Sequence, residues 1–335
     1  MSHSSIQNRP NCKDRAADIA TFSSGSELNQ LLEVASGTSL EFVQLRRGKL
    51  RGKLTHLDLG LSSVHANAFS VPVRARGAVS AERWNFVVFP DRVAGIFNGI
   101  ALAPSIVLAY RPGSEFDGST HGGLYEDWTI TVKDAALRDV AQCLFQQELP
   151  SIRSTCVILR PDPNLLVGLR ILASEILALG LASNQLSFDS PSRESLHWRL
   201  TEQLARVVMC GQAETGKVNR RVTSHLRTVR MSEDYLSGNI NAPVAVAQLC
   251  AAADVSERTL RRAYQSVLGL SPSAYLKARR LQLARVQLEQ STAKEATVTK
   301  IALSSGFGHM GHFSRDYHDF FGESPSQTLA TSSTG

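Results

Sequence analysis

One unit occurs twice near the C-terminus: a short apolar helix, a tight turn, an amphipathic helix and a closing Gly-x-Ser-Pro. The closing motifs, Gly269-Leu-Ser-Pro272 and Gly322-Glu-Ser-Pro325, lie 53 residues apart. In the first copy Pro243 precedes an Ala-rich helix over Val244–Ala253, with Val246, Leu249 and Cys250 available for a core. Asp254-Val255-Ser256 makes the turn, and Ser256 can cap the helix that follows. In that helix, Glu257–Leu268, the residues Leu260, Ala263, Tyr264 and Val267 fall at i, i+3, i+4 and i+7, a single buried stripe. Arg258, Arg261, Arg262 and Gln265 occupy the remaining faces, which suits a helix that enters a DNA major groove. The second copy has a helix over Val298–Ser305, a Gly306-Phe307-Gly308 turn and a helix over Met310–Phe320. There Phe313, Tyr317 and Phe320/Phe321 point inward, while His312, Ser314, Arg315 and His318 are more exposed. A long basic helix over Ser273–Gln290, with Tyr275, Leu281, Ala284 and Leu288 for packing, joins the copies, and His225–Leu236 is a helix ahead of them. A repeated unit is a far stronger signal than one helix-turn-helix alone.

Charge agrees with this placement. The chain has 36 Lys+Arg and 30 Asp+Glu in 335 residues, a net +6, which decides little by itself. Residues 221–335 hold 13 basic and 9 acidic side chains, and the arginines there are clustered. One cluster is Arg258, Arg261 and Arg262; the other is Lys277, Arg279, Arg280 and Arg285. The planar arginine fork donates paired hydrogen bonds to phosphates and guanine edges. A basic cluster is also compatible with an ordinary solvated helix face, so the repeat has to carry the inference.

The residues of the repeat resemble the AraC/XylS family of bacterial transcriptional regulators. The resemblance rests on Leu249-Cys-Ala-Ala-Ala-Asp-Val-Ser-Glu-Arg-Thr-Leu-Arg-Arg-Ala-Tyr264, on the stretch 268–276 and on Arg280-Leu-Gln-Leu-Ala284. It continues through Ile301-Ala-Leu-Ser-Ser-Gly-Phe307, His312-Phe-Ser-Arg315 and Phe321-Gly-Glu-Ser-Pro-Ser326. The resemblance implies a DNA-binding domain over 221–329, with helix-turn-helix units at about 247–268 and 298–321 reading successive major-groove segments. Carried over by position, DNA contacts fall on Arg258, Thr259, Arg261, Arg262 and Gln265 in the first unit. In the second they fall on Met310, Gly311, His312 and Arg315. The chain departs from the family pattern at Asp254, where a turn glycine is usual, and at Cys250, Gly311 and the ending Gln327-Thr-Leu-Ala. The first unit is therefore expected to dominate sequence discrimination. The family also implies double-stranded promoter DNA as partner, a small-molecule effector, and RNA polymerase if the protein activates.

The rest of the chain has a different texture. Residues 1–39 form a polar segment with one helix near Glu27–Val34. From 40 to 150, short apolar runs alternate with turn residues (Glu41–Leu45, Lys49–Leu61, Trp84–Phe89, Ile106–Tyr110, Trp128–Val132), the pattern of a β-rich sensor domain. A cupin-like barrel would fit and would offer a pocket. Trp84, Phe86, Phe89, Phe97, Tyr110, Phe116, Tyr125 and Trp128 are candidate lining residues, each more often core. Leu50 and Leu54 share one parity while Leu57, Leu59 and Leu61 share the other, so a strand there is expected to bulge near Thr55–His56. A short helix over Asp134–Gln147 closes the domain. Residues 160–212 read as a helical linker. In it Leu165, Leu169, Leu172, Ile176 and Leu179 form an a/d stripe, either an intramolecular hairpin or a homodimer seam. A second helix is expected over Arg193–Cys210 and a polar linker over Gly211–Arg220. The whole is an α+β chain: a β-rich N-terminal domain, a helical dimerisation linker and an all-α double helix-turn-helix domain.

Several classes are disfavoured. Hydrophobic residues make up 43% and charged residues 20%, the composition of a chain that buries a core. No run approaches the roughly 18 uninterrupted apolar residues of a membrane span, and the start has no apolar signal region, so a cytoplasmic protein is expected. The five cysteines are scattered with no C-x-x-C, which argues for reduced thiols. His56, His65 and His121 are isolated, and His309, His312 and His318 have no Cys or carboxylate to complete a set, so no metal or other cofactor is expected. No G-x-S-x-G, Walker or dinucleotide motif occurs, and an enzyme is not expected. A cupin-like enzyme with a DNA-binding tail and an architectural DNA binder without a sensor are the competing classes.

Overall fold

The computed structural model describes residues 17–150, 154–182, 190–214, 220–239, 244–291 and 297–332. The polar start before Ala17, the linker residues 215–219 and Pro243 lie outside them. The N-terminal domain runs β1 (Ala17–Phe22), α1 (Gly25–Ser36), β2 (Ser39–Gln44), β3 (Gly52–Asp58), β4 (Ser62–Phe69), β5 (Val73–Ala78) and β6 (Arg83–Val88). It continues with β7 (Gly95–Phe97), β8 (Ile100–Ala101), β9 (Val107–Tyr110), β10 (Glu115–Thr120), β11 (Tyr125–Lys133), α2 (Asp134–Phe145) and β12 (Cys156–Arg160). Helices α3 (Pro163–Ala182) and α4 (Ser190–Cys210) and strand β13 (Gln212–Glu214) complete it.

The strands form two antiparallel sheets, one ordered β1-β3-β4-β11-β6-β9-β12-β13 and the other β2-β5-β10-β7-β8. Their facing sides enclose an apolar core that includes Phe22, Leu54, Phe69, Val87 and Leu108 from the large sheet and Phe42, Val73 and Phe97 from the small one. The outer side of the large sheet is covered by α2, α3 and α4 through a second core containing Leu57, Val64, Phe86, Ile130, Leu137, Leu169, Ile176 and Leu204.

This layering explains three departures from the sequence reading. β3 pairs with β4 in unbroken register from Gly52↔Phe69 to Asp58↔Ser63, with no bulge at Thr55–His56. Both parities are apolar because both sides of the sheet are buried: Leu54 faces the inter-sheet core and Leu57 faces the helices. Residues 17–36 are a strand and a helix of the domain, not a polar segment outside it; β1 pairs along β3, and Leu28 and Leu32 of α1 are buried. Finally, α3 and α4 are a layer of this domain. Leu169, Leu172 and Ile176 are buried within the chain's own core and Leu165 is half-buried against it, so these side chains are taken up intramolecularly. Leu179, 49% exposed, is the one member of the stripe that faces out. By length and mean hydropathy (2.0) α3 could cross a membrane, but here one face of it packs on α4 and the sheet.

The C-terminal domain is helical: α5 (Arg220–Gly238), α6 (Val246–Ala253), α7 (Glu257–Leu268), α8 (Pro272–Gln290), α9 (Val298–Ser304), α10 (Met310–Phe321) and α11 (Pro325–Ser332). Helix α8 belongs to both units. Its Tyr275 and Leu276 enter the core of α5–α7, and its Leu281, Ala284 and Leu288 enter the core of α9–α11.

Candidate nucleic-acid interface

The repeated Gly-x-Ser-Pro is a helix stop joined to a helix start. Gly269 and Gly322 take the left-handed conformation (φ 67° and 75°) that ends α7 and α10, a region glycine enters without a Cβ penalty. Ser271 accepts the Ala274 N–H and Ser324 accepts the Gln327 N–H, both at 3.2 Å, so each serine caps the next helix. Pro272 and Pro325 begin those helices, where a missing N–H costs nothing. Asp254, at the expected glycine position, has φ 51° and ends α6 in the left-handed region, which Asp tolerates better than most residues.

Helix α7 is capped by Ser256, whose Oγ accepts the Thr259 N–H at 3.3 Å and meets Thr259 Oγ1 at 3.0 Å. Leu260, Ala263, Tyr264 and Val267 are fully buried. Arg258, Thr259, Arg261, Arg262 and Gln265 are all exposed, with Arg261 in an i,i+4 pair to Glu257 at 3.1 Å. In α10, Phe313, Tyr317 and Phe321 are buried, and Gly311, His312 and Arg315 are exposed. Met310 is half-buried against the core of its unit, so its side chain is shared between packing and surface.

The second basic cluster is spent internally. Lys277 pairs with Asp316 at 2.6 Å and ties α8 to α10, Arg279 pairs with Glu41 of β2, and Arg280 donates to the Val244 carbonyl at 3.0 Å. Arg285 is buried over the Phe321 ring, bonded to Glu289 at 2.7 Å and Glu323 at 3.1 Å. The arginines of α7 stay at the surface, so composition alone could not separate the two clusters.

A feature the sequence did not reveal is how the β domain holds this unit. The last carbonyls of a helix lack intrahelical partners, and here the β domain supplies them. Val267 O accepts Ser119 Oγ at 2.5 Å and lies 2.9 Å from His121 Nε2. Gly269 O accepts from Arg46 at 2.7 Å. At α10, Phe320 O accepts the Gly48 N–H and Gln44 Nε2, both at 3.0 Å. The carbonyl ends of both amphipathic helices are therefore gripped from one side. Beside them, Arg74 is buried between Asp117 and Glu233; Glu233 accepts the Tyr275 hydroxyl at 2.6 Å, and Asp117 also pairs with Arg230 of α5. Burial works against the Asp117 carboxylate, but Arg74 and Arg230 hold it below the usual carboxylate range.

The gripping strands have a second face. On β10, Asp117 and Ser119 face the helices while Phe116, Gly118 and Thr120 line a cavity between the sheets; on β5, Arg74 and Arg76 face the helices while Val73 and Ala75 line it. Of the aromatic residues proposed as lining, Phe97, Tyr110, Phe116 and Tyr125 are in the wall, whereas Trp84 and Phe86 face the α2–α4 layer.

Residues 249–331 match the family model described as a helix-turn-helix domain. Over 155 residues the chain is 34% identical to the "Probable thc operon regulatory protein" of Rhodococcus erythropolis, 44% of this chain and 46% of that protein. Over 96 residues it is 32% identical to the "XylDLEGF operon transcriptional activator 2" of Pseudomonas putida, 29% of this chain and 61% of that one. The crystal structure of a probable AraC family transcriptional regulator from Rhodopseudomonas palustris is 42% identical, covering 31% of this chain and 96% of that one, with a TM-score of 0.29. The chain carries a helix-turn-helix domain similar in sequence to those of AraC-type regulators. It matches about half the length of the first of these curated relatives, and the AraC-type similarity lies in the helix-turn-helix domain.

Proposed function

We propose that the protein is a sequence-specific DNA-binding regulator of transcription, an activator rather than a repressor, whose β domain responds to a small-molecule effector in the cytoplasm. In this reading α7 and α10 enter successive major-groove segments, with Arg258, Arg261 and Arg262 as the principal base and phosphate contacts. The observation that carries the effector half is the two-faced wall: strands that line the cavity also hold the carbonyl ends of both amphipathic helices. A molecule that fills the cavity displaces side chains on those strands and so changes how firmly the helices are held. Bound promoter DNA would then present RNA polymerase with the activator.

A homodimer is part of the proposal, on a redrawn surface. Because Leu169, Leu172 and Ile176 of the heptad stripe are buried, the second copy would meet the outer face of α3, where Val167 and Ile171 are 50% and 52% exposed and Leu179 lies two turns further on.

The test is selection of bound sequences from a random DNA pool at physiological salt, with wild type and Arg262→Ala. The expected result is a preferred site with two half-motifs about 10 base pairs apart. The variant should lose preference at one position at a cost of roughly 1–3 kcal/mol. Absence of enrichment, with or without cell extract as a source of effector, would sink the proposal.

A further inference from the structure

The cavity between the sheets is about 80 Å³, room for a body of roughly half a dozen heavy atoms. Most of its wall is apolar: Leu28, Leu40, Phe69, Val87 and Phe97 are among the lining residues. The floor differs. His65 and Asn67 of β4 pair in register with Thr129 and Asp127 of β11, so four polar side chains form one contiguous patch on adjacent strands. Asn67 Nδ2 and Thr129 Oγ1 both donate to Asp127 Oδ1, at 2.8 and 3.0 Å.

This patch is incompletely satisfied. Asn67 Oδ1 and His65 Nδ1 have no hydrogen-bond partner in the protein although their residues are only 8% and 2% exposed. Thr38 Oγ1, on a residue that also lines the cavity and is 7% exposed, is in the same state. Native proteins rarely leave such atoms unpaired, and a cluster of them around one cavity points to something that pairs with them. Burial pushes the His65 imidazole down to about 3, so the ring is neutral, and it pushes the Asp127 carboxyl up to about 6. No lysine or arginine is among the lining residues. An anion placed here would face a carboxylate with no cation to receive it, whereas an N–H donor would meet acceptors.

We infer that this cavity binds a compact, mostly apolar molecule whose head group donates N–H hydrogen bonds and carries no negative charge, an amide or an amine, and that it rejects the matching carboxylate. The inference rests on the reading of the β domain as the effector-binding part and assigns its ligand a chemical class. The head group lies against Asn67 and Asp127, and the apolar body extends toward Phe97 and Ala75 on the opposite wall. Gly118 and Thr120 of β10 share that wall, so occupancy is felt on the strand that holds α7.

The experiment titrates the full chain by calorimetry at neutral pH with butyramide, butylamine and butyrate, three four-carbon probes that differ in the head group. Saturable binding of the amide or the amine, with butyrate weaker by at least roughly tenfold, is expected, and the two nitrogen probes separate a neutral from a cationic head. Asp127→Asn should weaken the amine more than the amide. Ala75→Leu, which fills the cavity from the apolar wall without touching the polar patch, should abolish binding and guards against a floor variant that fails to fold. Butyrate binding as well as the other two would overturn the inference, as would no binding by any probe up to millimolar concentration. A preferred DNA site with no probe binding removes this ligand class and leaves the regulator reading standing. Probe binding that leaves DNA selection unchanged keeps the ligand class and removes the effector reading.

Discussion

Two buried aspartates lie in the N-terminal domain, and they pull stability in opposite directions with pH. Asp117 is held below its usual range between Arg74 and Arg230; its contribution is present above the unfolded value and is lost as pH falls through the folded one. Asp127 is the reverse. Burial, only partly offset by the bonds from Asn67 and Thr129, raises it from 3.8 to about 6. Between those values the folded state binds more protons than the unfolded one, so stability falls as pH rises across the window. A shift of roughly two units corresponds to about 3 kcal/mol. Asp127→Asn keeps the shape and removes the titration, so the variant should lose that slope between about pH 4 and 6. His65, held down to about 3, contributes the opposite slope over the same window. The measurement is therefore the difference between urea unfolding curves of variant and wild type across pH, which should grow in the variant's favour up to about pH 6 and then level off. A flat difference would show that Asp127 does not titrate in that window.

At the scale of elements, what the sequence made legible and what it did not follow one rule. Local chemistry was readable: the stripe of Leu260, Ala263, Tyr264 and Val267, the Ser256 cap and the left-handed Asp254 each depend on neighbours within a turn or two. What depends on a distant element was not. The two parities of β3 looked like a bulge because nothing in the strand says that a helical layer lies behind it. The leucines of α3 fitted a seam between chains as well as a seam within one, since α4 presents the same kind of surface as a second copy would. The basic run of α8 resembled the arginines of α7 until Glu41, Asp316 and Glu323 were brought to it. The outer face of α3 gives the proposed dimer surface a direct check. Ile171→Arg should leave the monomer folded, because the residue is half exposed, and should shift sedimentation from dimer to monomer. An unchanged dimer would place the contact elsewhere. Helix α10 offers a second check. A Cβ added at Gly311 meets nothing within 4 Å, so Gly311→Ala should stabilise the protein by about 0.5 kcal/mol through the unfolded chain. If DNA affinity falls while the midpoint of unfolding rises, the glycine is needed for close approach of the helix backbone to DNA.

For the whole molecule the order of layers is what matters: helices α2–α4, the large sheet, the cavity, the small sheet, then the helix-turn-helix domain. Each layer touches the next, so the cavity and the helix-turn-helix units are separated by one thickness of strand. The grip on α7 is made of few bonds, chiefly Ser119 and His121 at Val267 and Arg46 at Gly269. Each such bond contributes a net of about 1 kcal/mol, so removing two changes the docking equilibrium by roughly 30-fold. That is enough to shift the populations of held and released helices, yet too little to unfold either domain. Ser119→Ala with His121→Ala should therefore speed amide exchange in the last turn of α7 and in Gly269–Ser271, while the strands of the large sheet exchange as in wild type. If the grip restrains the helices, the double variant should also bind its preferred DNA site more tightly without effector and respond less when effector is added. Faster exchange without a change in DNA binding would mean that the contact only steadies the helix, and control would then have to pass through the Arg74, Asp117 and Glu233 cluster instead.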